Sequence, residues 1–235
     1  MQFIKFPREV GRQRAIQQQF YKKAKFPRVI AAMDCTHVKI LSPGGDDAEV
    51  YRNRKWFFSL NVQTLCDSHL NIMDIVAHFP GSTHDATKLR NSRIYSRFEG
   101  NEFGNAIVVA DSGYPCNRWT MTPLLRVNTP TEALYNESQI RTRNCVERSY
   151  GVWKKRFPVL SLGIRLHSRE VERTIVATAV LHNVCNLNNG EGAPPLDSEI
   201  NAILNSQVSV PSISLRGQSD NIYRREIIQN HFETL

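Results

Sequence analysis

The chain is short of acid. Its 22 Asp and Glu face 30 Lys and Arg, leaving a formal charge of +8 at pH 7 and an isoelectric point near 9.4. That deficit favours polyanionic partners, because Lys and Arg gain affinity for nucleic acid by releasing its condensed counterions. The sequence also lacks any Cys-x-x-Cys pair. Its five cysteines (Cys35, Cys66, Cys116, Cys145 and Cys185) are odd in number, which argues against a zinc module or a secreted disulfide framework and for a reducing compartment. Each reads as a small buried apolar residue. No stretch nears the roughly 18–20 uninterrupted apolar residues of a membrane helix, the nearest approach being Ile175–Leu181. The amino terminus, with Lys5 and Arg8 flanking a short apolar patch, is not a signal peptide. Internal repeats and low-complexity tracts are missing too. Ser112-Gly113-Tyr114 lacks the Gly-x-Ser-x-Gly elbow, which removes a serine hydrolase triad around Ser112.

What is present suits one folded core with appendages: 235 residues, 41% of them hydrophobic, with three Trp, seven Tyr and eleven Phe. The positive charge is concentrated at one end, where residues 1–28 carry eight Lys and Arg against the single Glu9. A helix at Val10–Ala24 would hold these charges either in water or against a DNA backbone.

Val29–Leu41 begins as a continuous apolar run and then alternates, the pattern of a buried strand passing into a half-buried one. Phe57–Cys66 and Asn71–Phe79 read as a hairpin around Asp67-Ser68-His69-Leu70, so that three antiparallel strands open the fold. A helix is expected over His84–Phe98, capped by Ser82 or Thr83. Ala106–Ala110 has the form of a central strand stopping at a functional loop, Asp111-Ser112-Gly113-Tyr114-Pro115. A long helix is expected over Asn136–Phe157, with Val146, Tyr150, Trp153 and Phe157 forming one apolar stripe before Pro158 ends it. Ser168–Leu187 reads as a second helix, apolar on more than one face and therefore well buried. From Gly190 to about Gln218 the chain reads as irregular, with a short helix over Ser219–Phe232. The order is that of an α/β fold, a mixed sheet with helices packed on it, and matches the element order of the ribonuclease-H-like fold.

Three carboxylates stand where such a chain converges. Asp34 lies within or at the end of the first strand, Asp111 ends the fourth, and Glu147 rides the long helix. If strands one and four are neighbours the two aspartates project together, and a helix crossing the sheet edge brings in the glutamate. Two hard divalent ions about 3.5–4 Å apart need shared oxygen ligands of this kind. Taken singly each acid has a plainer reading: Glu147 as an ion pair with Arg143 one turn back, Asp34 as a strand-end acceptor for a backbone N–H. Asp85 at a helix start is stabilised by the dipole whether or not it meets a metal. His37 and His84, beside these acids, are read as structural.

Four ordered motifs carry a resemblance to a known family. They are Val29–Val38 around Asp34, Gly81-Ser82-Thr83-His84-Asp85, Ala110–Pro115 around Asp111, and Arg143–Lys154 around Glu147. Together they resemble the signatures of the Harbinger transposase-derived nucleases over about Phe26–Asn188. The 36 residues from Asp111 to Glu147 also suit the wider Asp, Asp, Glu transposases and integrases. The resemblance implies a ribonuclease-H-like catalytic domain over 29–189, preceded by a basic helical remnant at 1–28 and followed by an irregular tail at 190–235. It implies a metal-dependent DNA endonuclease in the nucleus, or also in the cytoplasm, with Asp34, Asp111 and Glu147 as Mg²⁺ or Mn²⁺ ligands and Asp85 as an auxiliary acid. Arg143, Arg148, Lys154 and Lys155 are expected on the DNA backbone. Relatives begin with a longer helical region containing a helix-turn-helix, which this chain enters partway, so sequence reading would fall to a Myb-like partner protein. The competing expectation is a catalytically idle, domesticated core that binds DNA or acts as a scaffold.

Overall fold

The computed structural model of the chain describes residues 3–188 and 221–235. Five strands form one sheet: β1 (Val29–Lys39), β2 (Ser59–Cys66), β3 (Ile72–Val76), β4 (Ile107–Val109) and β5 (Thr120–Met121). Their order is β3-β2-β1-β4-β5. β1 runs antiparallel to β2, as β2 does to β3, whereas β4 and β5 are parallel to β1. This mixed sheet with helices on it is the ribonuclease-H-like arrangement. The strands with continuous apolar runs lie at its centre, with Val29 to Met33 and Ile107 to Val109 fully buried. The β2–β3 hairpin turns on the Asp67 carboxylate, which accepts from the N–H groups of His69 and Asn71, with Leu70 in the left-handed region at φ 68°.

Helix α1 (Val10–Ala24) has the bounds its sequence implies. It buries Ile16, Phe20 and Ala24 in the common core, with Lys22 and Lys23 in its last turn. The helix expected over His84–Phe98 is two: α2 (Asp85–Arg90) and α3 (Arg93–Glu99). The break falls at Asn91-Ser92, where Ser92 Oγ accepts from Tyr95 N–H and so starts a new helix. The cap residue of α2 is His84 rather than Ser82 or Thr83, and its side chain makes no capping bond.

Helix α4 (Pro130–Arg156) starts six residues before the expected Asn136. Its start is a capping box, with Thr129 and Glu132 bonded reciprocally and Pro130 in the first turn. A short α5 (Val159–Leu162) follows, then α6 (Ser168–Leu187) and, after the tail, α7 (Ile222–His231) capped by Asn221. α6 is buried on one face, not all round: Val171, Ile175 and Ala179 are in the core, whereas Val176, Val180 and Val184 are half-buried and Leu187 is exposed. Ile227, Ile228 and Phe232 return the end of the chain to the core beside Phe26 and Tyr135. The irregular stretch expected at 190–218 lies outside the described residues. Among those described, no helix is long and apolar enough to cross a membrane.

Candidate active site

The parallel pairing of β1 with β4 sets Ala32 opposite Val109. Asp34 and Asp111, each two residues further on, therefore stand at the same level of the sheet. β1 continues past Asp34 because β2 still pairs with it, Asp34 lying opposite Thr64, whereas β4 has already ended and Asp111 opens a loop. Asp111 Oδ1 accepts from Gly113 N–H at 3.0 Å. A Cβ on Gly113 would lie 3.1 Å from Asp85 Oδ2 and 3.2 Å from Asp111 Oδ1, so both carboxylates crowd the same glycine. Asp85, the first residue of α2, thus joins the two aspartates. Beneath it the fully buried Lys88 places Nζ 2.6 Å from Asp85 Oδ1.

Charge is held in this cluster at a cost. Burial, then the neighbouring Asp111, pushes the Asp34 carboxyl up to about 7, against the opposing pull of Arg143 and of a hydrogen bond from Cys35 N–H. Burial, then Asp85, raises Asp111 as well.

Glu147 approaches from α4 on the arm of Arg143. One Arg143 nitrogen is 3.2 Å from Asp34 Oδ2 and the other 2.7 Å from Glu147 Oε1, so a single guanidinium spans the two acids. The helix itself is fixed at both strands. Tyr150 donates its hydroxyl proton to the Asp34 carbonyl at 2.6 Å and accepts from Thr64 Oγ1 at 2.9 Å. Eleven residues earlier on α4, Gln139 Nε2 donates to the Ala110 carbonyl at 2.7 Å. Arg143 and Glu147 lie between these two anchors, which fix the turn that carries them.

Two expected DNA contacts are corrected by this geometry. Arg143, with 15% of its side chain exposed, is engaged by acids rather than turned to solvent. Lys154 is buried and donates to the His37 carbonyl at 2.9 Å. Burial first, then the nearby Lys55 charge, lowers its ammonium to about 8. Arg148 and Lys155 are exposed. His37 has a structural setting, its Nδ1 3.0 Å from Ser59 Oγ. Burial, then the charges of Lys88 and Lys154, lowers it to about 4.

Lys88, Gln139 and the Tyr150 hydroxyl were missed as parts of this site. A signal existed for two of them: Lys88 is one turn after Asp85, and Gln139 falls on the Val146 stripe seven residues earlier.

As for a metal, the donors are the kind a hard divalent cation takes, oxygen ligands only, and burial and neighbouring acids raise the carboxyls of Asp34 and Asp111. Among the described residues no three His, Cys, Asp or Glu side chains stand in metal-holding positions. Arg143 is the counter-charge of Asp34 and Glu147.

A family model described as DDE superfamily endonuclease matches residues 33–183, a segment that contains Asp34, Asp85, Asp111 and Glu147. The chain belongs to the DDE endonuclease superfamily. Within it, the likeness is to Harbinger transposase-derived nucleases. The Homo sapiens protein named "Putative nuclease HARBI1" is 34% identical over 186 residues, covering 78% of this chain and 53% of that protein. Its Bos taurus counterpart is 35% identical over the same shares. An Arabidopsis thaliana protein named "Protein ALP1-like" is 24% identical over 185 residues, 72% of this chain and 46% of its own. The chain spans about half the length of the curated relatives it matches. No solved structure gave a significant match. In this member of the superfamily the core also takes in α1 and α7, which lie outside the matched segment.

Proposed function

We propose that the chain is a divalent-metal-dependent endonuclease that cuts DNA phosphodiester bonds, with Asp34, Asp111 and Glu147 as ligands of Mg²⁺ or Mn²⁺ and Asp85 as an auxiliary acid. The observation that carries this reading is the convergence of Asp34, Asp85 and Asp111 where β4 ends beside β1, with Glu147 bound to Asp34 through one guanidinium. A pair of such ions, held by these carboxylates, would supply an activated water or 3′-hydroxyl and charge for the leaving oxygen. The residues would do the rest. Asp34 on β1 and Asp111 just past the end of β4 hold their carboxylates level, and Tyr150 and Gln139 keep α4 in register with them. The nucleus is the proposed place of action, with a Myb-like partner supplying sequence recognition.

A second reading, a catalytically idle core that binds DNA or acts as a scaffold, draws on one feature. Arg143 already pairs with two of the three acids and supplies them a counter-charge without an ion. Calorimetric titration with Mn²⁺ separates the two. The nuclease reading expects binding in the millimolar range or tighter that Asp34→Asn weakens, and the scaffold reading expects no heat of binding.

DNA would run along the exposed side of α4. Arg148 and Lys155 are one helical heptad apart there, and Arg141 continues the line while paired with Glu137. Backbone contacts of this kind give nonspecific binding with a log–log salt slope near −0.9 per phosphate. The double variant Arg148→Ala/Lys155→Ala is expected to flatten that slope by about two units and to weaken all sequences alike. An unchanged slope would move the DNA path off this helix.

A further inference from the structure

Trp56 is 80% exposed, whereas Trp119 and Trp153 are 2% and 0% exposed. Its backbone sits in the left-handed region at φ 65°, which Gly or Asn adopts at lower cost than a bulky aromatic residue. An indole there forgoes both backbone comfort and burial, so no folding advantage explains it.

The loop that carries it is firmly built. Arg52 and Phe58 pair across its stem. The buried Asn53 ties the tip together, its Oδ1 accepting from Lys55 N–H at 2.8 Å and its Nδ2 donating to Ser59 Oγ at 3.1 Å. Trp56 N–H in turn donates to the Asn53 carbonyl at 3.0 Å. Arg52 forms a two-pronged pair with Glu49 and lies 4.3 Å over the Phe58 ring. At the tip, Arg54 and Lys55 are exposed beside Trp56, and neither side chain forms an ion pair among the described residues. The result is an exposed indole on a braced loop, with two exposed cations immediately before it in the chain.

Contacts link this tip to the two elements that carry Asp34 and Glu147. Ser59, which holds Asn53, is bonded to His37, three residues along β1 from Asp34. Lys55 is near enough to Lys154 to disfavour its charge, and Lys154 lies two turns along α4 from Glu147. A flat π-face flanked by positive charge is the chemistry that holds single-stranded nucleic acid: cations track phosphates, and every base can stack.

We propose that Arg54, Lys55 and Trp56 form a stacking site for an unpaired DNA base beside the carboxylate cluster. The site deepens the DNA-cleavage reading and rests on it: it would hold a frayed or displaced strand next to the cut. The test uses the full chain in EDTA, with a blunt duplex and the same duplex carrying a short thymidine overhang. With Trp119 and Trp153 buried, iodide-accessible tryptophan emission reports on Trp56. Stacking predicts that the overhang quenches that emission and protects it from iodide, and the blunt duplex does not. Trp56→Gly is expected to lose about tenfold in affinity for the overhang while its melting temperature holds or rises. Trp56→Phe, which keeps a π-face, should retain most of the overhang preference. If wild type binds both DNAs with equal quenching, or Trp56→Gly keeps the overhang preference, the stacking site is overturned and the DNA reading stands. If wild type binds neither DNA, both fall together.

Discussion

Asp111→Asn is expected to reduce Mn²⁺-dependent nicking of supercoiled plasmid by on the order of 10³ or more, without lowering the melting temperature. The substitution keeps shape and removes the charge. Asp111 is half-buried, beside Asp85 and level with Asp34, and burial and the Asp85 charge already raise its carboxyl. The neutral amide therefore relieves repulsion in the fold while withdrawing a hard anionic ligand from the chemistry. Gel separation of nicked from supercoiled forms, with melting followed on the same preparations, gives both readouts. Unchanged nicking would remove Asp111 from the site, and a large fall in melting temperature would make its role structural.

The second large effect concerns Asp34 and pH. Its carboxyl is pushed up to about 7, above an ordinary value of 3.8, by burial and then by Asp111. The folded state thus holds this proton more tightly than the unfolded chain does. The stability Asp34 contributes is intact below about pH 4 and is lost as pH rises through about 7. Asp111 acts in the same direction. Total stability does not show this cleanly, because burial lowers His37 and His182 to about 4, and their contribution is lost over the same range as pH falls. The difference between Asp34→Asn and wild type isolates it. In EDTA the variant is expected to melt with wild type near pH 4 and roughly 5–10 °C above it at pH 7.5, taking a shift of a few kcal/mol and about 2–4 °C for each. Mn²⁺ at pH 7.5 should close the gap by stabilising wild type alone. A pH-independent gap, or equal Mn²⁺ stabilisation of both proteins, would exclude Asp34 as the raised carboxylate and as a ligand.

Much of the frame was legible before any coordinates. Val29 to Met33 and Ala106 to Ala110 are continuous apolar runs, and both became central strands; Val10–Ala24 and Ser168–Leu187 have the bounds their patterns implied. Periodicity and turn chemistry are local, so a sequence carries them whole. The early start of α4 was also written there, in Thr129-Pro130 followed by Glu132. β5 was not, because two residues hydrogen-bonded to β4 leave no period to read.

The sequence by itself determined which acids could matter and on which elements they ride. Tertiary structure alone decided that they meet, because the parallel register of β1 and β4 is a property of two segments more than seventy residues apart. It also decided the fate of the cations on α4. Arg143, Arg148, Lys154 and Lys155 look alike by spacing, yet two face solvent, one spans Asp34 and Glu147, and one reaches the His37 carbonyl. A long charged side chain can follow its stem into the protein or out to water. Which it does depends on whether another element brings an acceptor to meet it, and no helical pattern contains that information.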